Sequence, residues 1–231
     1  MLNATSIEIL PGLSIRIPTV GEVLNNETAY YSIVSALTAS PFDYMVPLDD
    51  MGMDFTQVTD YELFLLLFPM CAKSDLSILF GDFDASGFQA YQEKGSRRKF
   101  LYSPGSQMTI DEPAYQSLAD ALRKMNLLEK NAARPGNASA KKYLLERERR
   151  KLRRSAKKAQ GQSLESLVVA LVNTSEFPYN YDSCMDLSIY RFNLSVRQIQ
   201  KKIAFDNTMI GIYAGSVDTS KLTDKDALSW I

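Results

Sequence analysis

The chain has 231 residues, 45 % of them hydrophobic and 10 % aromatic, with a formal net charge of −1, which is enough apolar material for a sizeable globular core. It contains no histidine, so the usual general base, the Ser/His/Asp and Cys/His dyads and most zinc ligand sets are excluded. Its two cysteines, Cys71 and Cys184, stand far apart with no CxxC partner and read as reduced thiols of a cytoplasmic protein rather than as a disulfide or metal framework.

The opening "MLNATSIEIL" lacks a basic start followed by a long apolar run, and "LFLLLFPMCA" is too short to span a bilayer, so neither secretion nor membrane insertion is expected. "IEILPGLSIRIP" sets two β-branched runs around Pro11-Gly12, a hairpin pattern. In "NETAYYSIVSALTASP", Tyr30, Ile33, Val34 and Leu37 recur at helical spacing. Residues 40–58 read as a loop carrying Asp43, Asp49, Asp50 and Asp54 with Met45, Met51 and Met53. Thr59 and Glu62 then form a capping box for "YELFLLLF", a core helix expected to end at Pro69.

"LSILFGDF", "FQAYQE", "RKFLYS" and "QMTI", separated by Asp, Ser, Gly and Pro turns, read as a small antiparallel sheet. Asp111 caps a following helix with Pro113 in its first turn, on which Tyr115, Leu118, Ala119, Leu122 and Met125 form one stripe. "EKNAARPGNASA" interrupts both periodicities. The expected fold is α+β: residues 1–130 hold a small antiparallel sheet with helices, 131–140 are a linker, and 141–231 are helical. Within the last region the basic helix covers 141–160, "SLESLVVALV" forms a second, and a long one runs from about residue 183 past Ile203 to end near "GIYAG".

Charge is distributed unevenly. Residues 141–158 hold ten Lys or Arg against Glu146 and Glu148, a local +8, which leaves −9 for the rest, and the first ninety residues carry twelve acids against Arg16 and Lys73. The positive charges fall on all sides of the helical wheel, with only Leu144, Leu145 and Leu152 as large aliphatics after Tyr143, so a solvated helix is expected. Its cations, Arg147, Arg149, Arg150, Lys151, Arg153 and Arg154, suit electrostatic contact with acidic segments of this chain, a second copy or an external polyanion. Interleaved aromatics and a reading-helix motif are missing, which weighs against nucleic acid.

Chemical motifs are weak. "DFDASGFQAYQE" matches an EF-hand loop through Asp82, Asp84, Ser86, Gly87 and Glu93, but its flanks read as strands and Gln89 stands where an apolar residue belongs, so turn geometry accounts for it better. Asp49, Asp50 and Asp54 offer oxygens without a phosphate loop, nucleophile or paired base. No catalytic residue, metal or cofactor is expected, and the reading that remains is a protein-binding protein.

Three stretches resemble tail assembly chaperones of tailed phages and prophages of Gram-positive bacteria: "VTDYELFLLLF", "MTIDEPAYQSLADALRKMNLLEK" and "MDLSIYRFNLSVRQIQKKIAFDNTMIGIYAGSVDTSKLTDKDALSWI". In the last, Asp186-Leu187, Tyr190, Phe192, the helix through Ile203, Ala214-Gly215 and Trp230 carry the likeness. The resemblance implies a non-enzymatic role in the host bacterial cytoplasm, binding the tape measure protein during tail morphogenesis, with the major tail protein and a second copy as further candidate partners. It supplies no catalytic residues. From the residues themselves, Leu187, Tyr190, Leu194 and Ile199 are the candidate anchors for a helical partner, and the alternatives are a basic nucleic-acid-associated phage protein or a structural tail or connector subunit.

Overall fold

Pro11 and Gly12, the latter at φ +87°, turn strand β1 (Ser6–Leu10) back on β2 (Leu13–Arg16) in an antiparallel hairpin whose register runs Ser6 to Arg16 and Ile7 to Ile15. A left-handed φ is cheap for glycine, which explains the residue at this turn. Leu13 and Ile15 face the core while Ser14 is exposed, the alternation of a strand wetted on one side. The computed structural model describes residues 1–96, 98–131, 133–155, 163–218 and 228–230.

Helices α1 (Val20–Asn25) and α2 (Glu27–Thr38) follow, the first started by a Thr19–Glu22 capping box and the second burying Tyr30, Ile33, Val34 and Leu37. The segment expected to be a loop contains α3 (Met45–Asp50), which buries Met45, Val46 and Leu48. Helix α4 (Asp60–Cys71) starts on the expected Thr59–Glu62 box but does not stop at Pro69. Ala72 N–H still reaches the Phe68 carbonyl at 2.8 Å, because a proline near a helix end removes only its own donor and leaves later bonds intact.

"LSILF" is a correction to the expected strand: it forms the one-turn helix α5 (Ser77–Phe80). Asp75 Oδ1 accepts from the Ser77 N–H at 2.9 Å, Leu76, Leu79 and Phe80 are buried, and Gly81 at φ +61° ends the turn. Their spacing of three and four is helical, and it overrides the β-branched composition. The remaining runs do form one antiparallel sheet in the order β3 (Gln89–Gln92), β4 (Lys99–Ser103), β5 (Met108–Ile110).

Helix α6 (Glu112–Asn126) is the centre of the molecule. Asp111 accepts from the Ala114 N–H, and Leu118, Ala119, Leu122 and Met125 have no exposed surface. Around this stripe pack α2, α4, β1, β5 and the C-terminal helix α10 (Ile189–Tyr213). Two polar pins fix α6 against α2: the Tyr30 hydroxyl donates to Asn126 Oδ1 at 2.9 Å, and the buried Arg123 donates to the Thr38 carbonyl at 2.8 Å. The second places a cation at the C-terminal end of α2, where unsatisfied carbonyls favour it.

After residues 128–137, which hold no helix or strand among those described, the chain forms α7 (Ala138–Ser155), α8 (Leu164–Val172), α9 (Tyr181–Met185) and α10 (Ile189–Tyr213). The C-terminal region is helical as expected; residues 156–160 of the expected basic helix lie outside the described residues. The expected single helix from residue 183 is two, broken at residues 186–188 by pairing with the N-terminal segment. There Val20 N–H donates to the Leu187 carbonyl and Ile189 N–H to the Pro18 carbonyl, each at 2.8 Å, so these amide groups serve a tertiary contact. Ser188 then accepts from the Arg191 N–H and restarts the helix.

A main core joins both ends of the sequence, from Leu13 to Phe192, including Leu164, Val168, Leu171, Cys184 and Leu187. A separate, smaller core consists of Ala39, Met45, Val46, Leu48, Phe55 and Leu63. Burial differs sharply along α10: Phe192 has no exposed surface, whereas Ile210 is 66 % exposed. Phe192→Ala should therefore cost about 3–5 kcal/mol of stability and Ile210→Ala about 0.5 kcal/mol or less, as read from urea unfolding midpoints of the two variants.

Candidate functional site: two helical surfaces

The basic helix α7 is docked, which corrects the expectation of a purely solvated helix. Its Leu144 and Leu145 are half-buried and pack on the smaller core. Lys141 lies over the Phe55 ring, its ammonium 5.5 Å from the centroid, and pairs with Asp54 at 2.7 Å. One turn beyond the leucines, Arg149 Nη2 donates to Asp49 at 2.8 Å and to Asp50 at 2.6 Å. Two leucines side by side, with a cation at each end, thus sit on an apolar floor with an acidic rim.

These ion pairs perturb both partners. The hydrogen bond from Lys141, followed by those from the Thr56 hydroxyl and N–H, holds the Asp54 carboxyl down at about 2. Hydrogen bonds to Asp49 and then Asp50 push the Arg149 guanidinium up. All of these groups are partly open to water, where ion pairs are screened and individually weak. Each half-buried leucine adds about 1 kcal/mol, and none of residues 138–154 is fully buried. The helix is consequently held by a contact that can open without disturbing the main core.

Of the six cations expected to make electrostatic contacts, only Arg149 faces this surface. Lys151 pairs with Glu148 at 3.1 Å within α7, and Arg150 Nε donates to the Glu146 carbonyl at 3.3 Å. Arg147, Arg150, Arg153 and Arg154 are exposed. Tyr143, Arg147, Arg150 and Arg154 follow one another at i, i+4, i+7 and i+11, a stripe directed away from the docked face.

The second surface runs along α10, a 25-residue helix about 37 Å long. Ile189, Phe192, Val196, Ile199, Ile203, Ile210 and Tyr213, with Asp206 between the last three, alternate at spacings of three and four, the pattern of a coiled-coil seam. The seam starts inside the core. Ile189 and Phe192 have no exposed surface and Val196 and Ile199 pack partly against the core, whereas Ile203, Ile210 and Tyr213 are 41 %, 66 % and 82 % exposed. Lys202 pairs with Asp206 at 2.6 Å beside it.

Of the four anchors chosen from the sequence, Leu187 is buried in the core, Tyr190 and Ile199 are half-buried against it, and Leu194 is half-buried. The exposed seam residues Ile203, Ile210 and Tyr213 escaped that choice. Their signal was the heptad register shared with Ile189 and Phe192, which requires reading α10 from its true start. Beyond Tyr213 the chain turns back on the helix: the Ser216 and Val217 N–H groups both donate to the Gly211 carbonyl, at 2.9 and 3.1 Å. A Cβ at Gly211 would lie 2.6 Å from Val217 Cγ2, so a larger residue there would have to displace the Val217 side chain. Gln198 donates to the carbonyl of Trp230, bringing the end of the chain beside the same helix.

The chemical motifs take ordinary places. Asp84 Oδ1 accepts from the Ser86 N–H at 2.9 Å and hydroxyl at 2.6 Å, closing a turn, and the Glu93 carboxylate accepts from Ser96. The segment with Asp82, Asp84, Ser86 and Glu93 is entered from the one-turn α5 and left through β3. Among the described residues no group of three or more Cys, Asp or Glu is arranged to hold a metal ion. Cys71 and Cys184 are buried, and burial pushes both thiols up, away from thiolate chemistry. Among the described residues no helix is long and apolar enough to cross a membrane.

Fold and surfaces together define an α+β protein with two distinctive helical faces, one docked on an acidic, apolar floor and one partly open. Residues 155–231 match the family described as the YomV second domain, which suggests a phage-type protein family over the last third of the chain. No curated protein and no solved structure matches the chain. The matched stretch includes α8, α9, α10 and the whole seam.

The docked helix has a pH and salt signature. A carboxyl held at about 2 against its ordinary 3.8 stabilises the docked state above 3.8 and loses that contribution as pH falls toward 2. Acidification through this window should accelerate amide hydrogen exchange in residues 141–152 before it does so in α6. Raising the salt to about 1 M, where screening acts within about 3 Å, should do the same at neutral pH.

Proposed function

We propose that this chain is a non-enzymatic phage assembly protein, a tail assembly chaperone whose client is the helical tape measure protein. The observation that carries this reading is the α10 seam, which leaves the core at Ile199 and continues through Ile203, Ile210 and Tyr213 in the open. Exposed apolar stripes of this kind mark protein-binding surfaces, and a seam at three- and four-residue spacing accepts an amphipathic helix at i, i+3, i+4 and i+7. A tape measure protein waiting to be enclosed exposes such helices. The family match over residues 155–231 and the likeness of the closing residues to phage tail chaperones support the same reading.

In this mechanism the first half of α10 is the rigid base. Ile189 and Phe192 anchor it, so the exposed half is presented as a preformed helix and little ordering entropy is lost on binding. Ile203 and Ile210 enter the client groove and Tyr213 covers its end.

Co-expression with the cognate tape measure protein, followed by purification through a tag on one partner, tests this. Wild-type chain should render the client soluble and co-elute with it, and Ile203→Asp with Ile210→Asp should reduce the recovered client by roughly tenfold or more. The same pair should move stability by no more than about 0.5 kcal/mol, since both side chains are exposed. Absence of co-elution with the wild type would sink the reading. A nucleic-acid complex that survives near-physiological salt, or recovery of the chain from purified virions, would replace it with one of the alternatives.

A further inference from the structure

The acidic, apolar surface under α7 has the features of a binding site for a helix. Its floor is a core of its own, Met45, Leu48, Phe55 and Leu63, separate from the main one. Its rim is Asp49, Asp50 and Asp54. The surface extends past α7: Met53, Asp54 and Val58 also border an open cleft of about 570 Å³ that continues to Leu66 on α4 and Tyr91 on β3, which are 44 % and 38 % exposed. Methionine at such a surface adapts to different apolar partners.

What covers the floor is a helix of this same chain. None of residues 138–154 of α7 is fully buried, and the helix follows residues 128–137, which form neither helix nor strand among those described. A helix held by two half-buried leucines and solvent-exposed ion pairs can leave, whereas the floor beneath it is fixed by α3 and α4.

We infer that the α3–α4 surface is a docking site for basic amphipathic helices, and that α7 is its intramolecular occupant, displaced when a partner helix of the same chemistry arrives. The seated sequence defines that chemistry: an adjacent leucine pair, a lysine three residues before it and an arginine four residues after it, matching Leu144, Leu145, Lys141 and Arg149. An acidic helix or a nucleic acid is repelled by the same rim. Displacement frees the face of α7 that carries Lys141 and Arg149, joining it to the Arg147, Arg150 and Arg154 stripe. The inference concerns a surface distinct from the α10 seam and holds whether or not that seam binds a tape measure protein.

The test uses the full chain and a fluorescent peptide of residues 138–155, followed by fluorescence anisotropy. Wild-type chain, with its site occupied, should bind the peptide weakly. The Leu144→Asp, Leu145→Asp variant, in which α7 no longer competes, should bind at least tenfold more tightly, and a peptide of the same composition with its leucines moved to the opposite face should not saturate. Should that variant fail to fold by circular dichroism, Lys141→Glu with Arg149→Glu changes only partly exposed groups and carries the same comparison. Adding Asp49→Lys and Asp50→Lys to the opened chain should abolish binding. Equal affinity for the wild-type and opened chains, or no saturable binding to a folded opened chain, would overturn the inference.

Discussion

One apolar stripe organises this protein. Leu118, Ala119, Leu122 and Met125 on α6 are wholly enclosed, and the elements packed around α6 are β1, α2, α4, β5 and α10, drawn from both ends of the sequence. Burying a stripe of this kind is the main favourable term available to a helix of this length. Everything placed around it inherits its position. The Arg123 and Asn126 contacts then fix the angle of α2, and the C-terminal helices complete the wall that the first ninety residues leave open.

The division between rigid and detachable parts follows from the same arrangement. Helices α2 and α10 meet α6 through side chains with no exposed surface, Tyr30, Leu37, Ile189 and Phe192, while α7 packs on the smaller core and uses charges in water. The lower half of α10 belongs to the first group and its upper half to neither. A protein that binds other proteins needs such regions at the low-stability end of its structure, beside a core stable enough to position them.

Much of the layout was legible in the residues. The Thr59–Glu62 capping box, the Pro11-Gly12 hairpin, the Asp111 cap and the α6 stripe are signals whose partners lie within a few positions. What escaped was decided at long range. The break at Leu187 exists because backbone from residues 18–20 pairs there, and nothing near 187 announces it. Helix α3 was obscured by Pro47 and the aspartates, although Met45 and Leu48 hold the spacing of one buried face. The apolar run around Ile78, followed by the Gly81-Asp82 turn, made α5 look like a strand, although Leu76, Leu79 and Phe80 share one side of a helix. The docking of α7 was hidden most deeply: ten cations masked a leucine pair whose partners lie some ninety residues earlier. For the α10 seam, starting the helix at residue 183 rather than 189 concealed the register that Ile203, Ile210 and Tyr213 share with the core.

The backbone clasp of Pro18 and Val20 with Leu187 and Ile189 has a consequence for synthesis on the ribosome. Chains emerge from the amino end, and contacts between distant segments form only when both have been made. The hairpin, α2, α4 and α6 can gather early, but their shared core stays open along one wall until Phe192 has left the exit tunnel. The stripe from Ile203 to Tyr213 is made after that wall, so the exposed half of α10 comes out only once there is a closed body to carry it. Ordering of this kind lets the interior close before the open apolar stripe is added to it.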